Sequence, residues 1–178
     1  MREIATFLLS ELSDNVTAFE MAQLEEVLTK IKSAKRVFLV GAGRSRLILS
    51  LYCVRLRHLG ISAFMIGDPF TPPVSAGDIL LAASGSGTTT STVALSTQFK
   101  VYGGEIIVFT SDNKSKLAML GDVVVTIDGS TALQFDQGSQ IMRSLFEQTL
   151  FILLETLAHK HVGSLDSALV TAAHANVE

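Results

Sequence analysis

The sequence predicts an α/β protein, a three-layer α/β/α sandwich on a five-stranded parallel sheet with extra helices at its N- and C-terminal ends. Three observations lead there. From Arg36 onward, short aliphatic runs alternate with helical stretches, the rhythm of repeated βαβ units. Those runs are apolar at nearly every position, as strands must be when helices cover both faces of a sheet. The chain has 178 residues, 48 % of them apolar, which suits one domain and supplies enough apolar material for both faces.

Two helices open the chain. One runs roughly from Arg2 to Leu12 with Ile4, Leu8 and Leu12 in register; the other runs roughly from Val16 to Ile31 with Leu24, Leu28 and Ile31 at helical spacing. They form a leading segment, residues 1–33. The sheet core, residues 36–128, begins with a strand at Val37-Phe38-Leu39-Val40, a helix to about Leu59 and a strand from Ile61 to Ile66. It continues with a strand from Ile79 to Ala83, a helix from about Thr88 to Tyr102 and a strand from Glu105 to Thr110. A short helix around Ser115 to Leu120 and a strand from Val123 to Ile127 complete it. A polar loop, Gly129 to Gln137, then leads into a closing helical segment, residues 139–178. Its first helix, about Ser139 to His161, is apolar on nearly every face and is predicted to be buried. Gly163-Ser164 breaks it, and a last helix starts near Leu165 with Ser164 as N-cap.

Composition excludes several classes of function. The net charge is −3, with no run of Lys or Arg and no Trp, which argues against a nucleic-acid partner. Runs such as Leu150 to Leu154 fall far short of the roughly 18 apolar residues that span a bilayer, so no membrane partner is expected. The lone Cys53, in an apolar helical stretch, reads as core packing. No signal-peptide cleavage pattern follows Arg2-Glu3, and both facts favour the cytoplasm. A positive mean hydropathy in so short a chain predicts a homo-oligomer.

Two strand-to-helix turns carry the chemistry. Gly41-Ala42-Gly43-Arg44-Ser45 follows the first strand, where glycine admits positive φ and lets backbone N–H groups approach an oxyanion. Ser84-Gly85-Ser86-Gly87-Thr88-Thr89 follows another strand and offers hydroxyls beside a helix N-terminus. In open α/β sheets, ligands sit beyond the carboxyl ends of strands where the chain order reverses, and both turns belong there. With no Walker lysine and no metal-ligand cluster, neutral donors point to a phosphate monoester on a small sugar. Such turns also simply join strands to helices. A dinucleotide fold is the rival reading, because Gly41-x-Gly43 begins GxGxxG and Asp68 follows the second strand. Its third glycine position, however, is Arg46, and it leaves the second Ser/Thr turn without a purpose.

These two turns, together with Thr110-Ser111 and Ser115-Lys116-Leu117-Ala118, resemble the three signatures of the sugar isomerase (SIS) family, whose fold is flavodoxin-like. The stretch Val54 to Gly60, the Thr71-Pro72-Pro73 loop, Leu145-Phe146-Glu147-Gln148 and the ending His174-Ala175-Asn176-Val177-Glu178 resemble the 6-phospho-3-hexuloisomerases within it. The similarity runs over nearly the whole chain. It implies interconversion of 3-hexulose 6-phosphate and fructose 6-phosphate, the step after formaldehyde capture in the ribulose monophosphate pathway, by a homotetramer. No cofactor and no metal are implied.

Carried over by position, the resemblance makes Ser45, Ser84, Ser86 and Thr89 phosphate donors, assisted by the N–H groups of Gly85 and Gly87. Gly43 and Arg44 lie beside the substrate, Arg44 adding charge. Thr88 stands where the family usually has Glu. Glu147 is the candidate base: between Phe146 and Leu150, burial would favour a carboxyl that exchanges protons near working pH, although a helix-surface pair with Arg143 is equally open from the residues alone. His174 is the candidate for proton transfer between oxygens, in its own subunit or a neighbour's; as a terminal histidine it could equally just be solvated. His58, His159 and His161 show no functional spacing. Asp68, Asp112 and Asp128, at strand ends, are assigned no role. A non-catalytic sugar-phosphate sensor is the other class left open; it needs the turns but no buried acid.

Overall fold

The computed structural model describes residues 1–129 and 144–163. Its elements run α1 (Arg2–Ala18), α2 (Ala22–Ser33), β1 (Val37–Gly41), α3 (Gly43–His58), β2 (Ala63–Met65), β3 (Ile79–Ala83), α4 (Thr90–Val101), β4 (Glu105–Thr110), a 3₁₀ turn (Ala118–Leu120), β5 (Val123–Thr126) and α5 (Ser144–Val162). All strand pairs are parallel, in the order β2-β1-β3-β4-β5. That is the flavodoxin-like arrangement, and it has one reversal, between β1 and β3.

Side chains alternate across the sheet and divide the core in two. Leu39, Leu81, Ile107, Phe109 and Val125 meet α2, α3 and α5 on one face. Phe38, Val40, Leu80, Ala82, Ile106 and Val108 meet Phe99 of α4 and Leu117 on the other. Strands β1 and β3, and β4 between Glu105 and Thr110, are apolar because both of their faces are covered. Helix α5 buries Phe146, Leu150, Leu153, Leu154, Leu157 and Ala158, while α1 rides on its outer side. Cys53 is buried in the core, which pushes its thiol up from the ordinary value.

Several boundaries differ from the sequence reading. Helix α1 runs on to Ala18 instead of stopping at Leu12, because Asn15 is held from far away: its side-chain amide donates to the Asp128 carbonyl and to Thr149 Oγ1. The break falls at Phe19, whose extended backbone ends the helix. Helix α4 begins at Thr90, not Thr88, since Gly87 adopts φ +61° and Thr89 is still extended. β2 shrinks to three residues, and the short helix after Ser115 is a single 3₁₀ turn. The start of the long helix before Ser144 and the last helix lie outside the described residues.

At the opposite end of the sheet from the reversal, Asp78 at the start of β3 is fully buried and clamped by Arg36, with Nη2 to Oδ2 at 2.6 Å and Nε to Oδ1 at 3.0 Å. Burial alone would raise that carboxyl. The guanidinium and the Ser75 N–H outweigh it and hold the group below the usual carboxylate range.

Candidate active site

The two Gly/Ser turns converge at the β1/β3 reversal. Ala42 and Ser45 from the first and Ser84, Gly85, Ser86 and Thr89 from the second line one pocket of ≈ 170 Å³, closed on a third side by Glu147. Helices α3 and α4 both point their N-termini at it. Neither has a side-chain cap, and the N–H groups of a helix's first turn, which lack partners within the helix, suit an anion.

The second turn is built from the inside out. Ser84 Oγ shares a hydrogen bond of 2.9 Å with Thr89 Oγ1 and accepts the Gly87 N–H at 3.1 Å. The Gly87 amide, which also meets the Ser84 carbonyl, is thus spent on the turn, and Gly87 does not line the pocket. A glycine is needed there for a different reason. Its φ is positive, and a Cβ would overlap Ser115 and come within 2.9 Å of Thr110 Oγ1. The Thr110-Ser111 and Ser115-to-Ala118 signature is therefore a buttress: Ser111 N–H donates to Gly85 O at 3.0 Å, and Leu117 N–H donates to Gly87 O at 2.9 Å. Thr88 is exposed and donates its hydroxyl to Ser86 Oγ at 3.1 Å.

Glu147 reaches the pocket because Phe146, the residue before it, is fully buried against the turn. A Cβ on Gly85 would lie 3.3 Å from the Phe146 ring, so glycine lets the ring sit against the turn without giving way. Among the described residues, Glu147 meets a cation that the sequence reading did not pair with it. Arg44 Nη2 stands 2.9 Å from Glu147 Oε2, and Arg44 Nη1 donates to Ser144 Oγ at 3.1 Å. Arg44 is absent from the polar pocket's lining and faces instead a neighbouring, mostly apolar cavity of ≈ 390 Å³ that Glu147 also borders. Ser144 lies three residues before Glu147 on the same helix face, a spacing visible in the sequence. Gly43 starts α3 at φ +54° with open space around it. His174 and Arg143 lie outside the described residues. Asp68 pairs with Arg46 at 2.9 Å, and Arg46 also donates to Ile66 O, so the would-be third glycine position secures the loop after β2.

Fold and site together define an α/β protein with a phosphate-sized polar pocket at its topological switch point and a carboxylate on the pocket wall. The chain belongs to the SIS domain family, which it matches over residues 30–158. It is 42 % identical to a 3-hexulose-6-phosphate isomerase of Mycobacterium gastri over 83 % of this chain and 75 % of that one. It is 32 % identical to the 3-hexulose-6-phosphate isomerase of Methylomonas aminofaciens over the full length of both. A Methanococcus jannaschii protein whose crystal structure infers the same function superposes with a TM-score of 0.83 at 24 % identity, over 96 % of this chain and 98 % of that one, a likeness of fold.

Proposed function

We propose that the protein is a 6-phospho-3-hexuloisomerase (3-hexulose-6-phosphate isomerase), converting 3-hexulose 6-phosphate to fructose 6-phosphate. The single observation that carries this reading is the meeting of two hydroxyl-rich turns and Glu147 around one pocket. Ser45, Ser84, Ser86 and Thr89, with the Gly85 N–H and the two helix N-termini, hold the phosphate dianion and thereby fix the sugar's position. Glu147 takes the proton from C2, the C3 carbonyl becomes the hydroxyl of a 2,3-enediol, and the proton returns at C3 as the C2 oxygen loses its own. Hydrogen and electrons balance within the substrate. His174 is assigned the transfer between the two oxygens. The names of the relatives support this substrate and, with it, a place in formaldehyde assimilation through the ribulose monophosphate pathway.

The enzyme is proposed to act in the cytoplasm as a homotetramer. Leu47, Leu51 and Val54, spaced four and three residues apart along α3, are more than half exposed, a stripe suited to burial against another copy. No described helix is long and apolar enough to cross a membrane.

Supplying 3-hexulose 6-phosphate and following fructose 6-phosphate through a coupled dehydrogenase tests the reading. Wild type turns over, and Glu147→Gln loses about 10²- to 10⁴-fold in kcat, the usual worth of a positioned base, with KM little changed. Wild type that binds the sugar phosphate without converting it marks the protein as a sensor and ends the proposal.

A further inference from the structure

A phosphate dianion and a carboxylate are proposed to share one small pocket, and like charges so placed repel. Something must offset the carboxylate without occupying the phosphate's place. Glu147 is the dividing wall between the two cavities, bordering both, whereas Arg44 borders only the apolar one. The guanidinium therefore backs the carboxylate from the side away from the phosphate donors. Its two arms are used differently: Nη2 meets Glu147 Oε2 and Nη1 meets Ser144 Oγ, one turn earlier on α5. The guanidinium is thus anchored to α5 at Ser144 while it faces the carboxylate of Glu147, an arrangement of two separate donors that a lysine's single ammonium cannot reproduce. Because Arg44 lies between Gly43 and Ser45 in the first turn, the same short segment that presents phosphate donors also carries the cation that steadies the base.

We propose that Arg44 is a positioning residue and not a phosphate ligand: it holds the Glu147 carboxylate in place and offsets its charge, so that phosphate and base tolerate one another. This rests on the isomerase reading for the part that concerns turnover; the electrostatic part stands on phosphate binding alone.

The test is a double-mutant cycle on the affinity for fructose 6-phosphate, measured by calorimetry, with Arg44→Met and Glu147→Gln. Arg44→Met weakens binding about tenfold when Glu147 is present, because the carboxylate is left unshielded, and by less than about twofold in the Glu147→Gln background. Equal losses in both backgrounds would show a direct phosphate contact and overturn the proposal, as would no loss in either with kcat intact. Arg44→Lys separates charge from direction: affinity stays near wild type while kcat falls about tenfold or more, and an unchanged kcat overturns the positioning role. Unchanged thermal midpoints for the variants confirm that they fold. If wild type fails to turn over the ketose phosphate, the isomerase reading falls and the positioning role with it, while the binding cycle still decides the charge-offset role of Arg44.

Discussion

Gly87 and Gly43 form a matched pair that separates backbone strain from steric overlap. Both hold positive φ, +61° and +54°, so alanine at either costs about 1–2 kcal/mol for the left-handed backbone. The surroundings differ. A Cβ on Gly43 meets nothing within 4 Å, whereas one on Gly87 overlaps the buried Ser115 side chain and approaches Thr110 Oγ1 at 2.9 Å. Ser115 has little freedom to retreat, since its Oγ accepts the Ala118 N–H at 3.2 Å, and forcing extra volume into such packing costs about 1–3 kcal/mol more. Gly43→Ala should therefore lose about 1–2 kcal/mol and Gly87→Ala about 2–5 kcal/mol. At about 2–4 °C per kcal/mol for a domain of this size, the midpoints fall by roughly 2–8 °C and 4–20 °C. Urea unfolding of both variants at one protein concentration reads the difference. Equal losses, or a Gly87→Ala variant as stable as wild type, would refute the claim that the third signature is packed against this glycine.

Two further outcomes follow from particular contacts. Ser84→Ala removes a proposed phosphate donor and the acceptor of the Gly87 N–H together, and should raise KM for the sugar phosphate about 10- to 100-fold, as for a lost hydrogen bond to a charged group; steady-state kinetics with unchanged KM would remove Ser84 from the proposed phosphate site. Asp78→Asn should cost about 3 kcal/mol, the low end for breaking a buried ion pair because Arg36 is 26 % exposed. Since the folded carboxyl is held below its unfolded value, its contribution is fully present above the unfolded pKa of about 4 and is lost as pH falls through the lower folded value. Acid titration of stability should accordingly be flatter in Asp78→Asn than in wild type, and identical acid limbs would contradict the pairing.

What was legible in the sequence was whatever a local pattern records. Near-continuous aliphatic runs such as Ile79 to Ala83 marked covered strands, and glycine and serine after β1 and β3 marked the turns that meet at the reversal. What was hidden depends on partners distant in the chain. Leu12 looked like the end of α1 because nothing near it says that Asn15 will be tied to Asp128 and Thr149. Gly87 looked like an anion donor because its amide's use within the turn depends on a fold of the turn that Ser115 supports from beneath. Glu147 stands on the pocket wall, yet the apolar surroundings inferred from Phe146 and Leu150 leave out a guanidinium 100 positions before Ser144.

That omission changes how the pocket's charges must be counted. The two helix N-termini supply about half a positive charge each, against two negative charges on the phosphate and one on Glu147. For a carboxylate and a dianion about 5–6 Å apart at an effective dielectric near 20, the repulsion is on the order of 6 kcal/mol. Arg44, 2.9 Å from the carboxylate and 48 % exposed, contributes an opposing attraction of about 6 kcal/mol at the same dielectric before screening by solvent reduces it. Screening leaves the offset partial. In the proposed reaction that partial offset matters: Arg44 limits the repulsion between phosphate and Glu147 without cancelling it, so that a dianion in the pocket and a carboxylate on its wall can stand side by side.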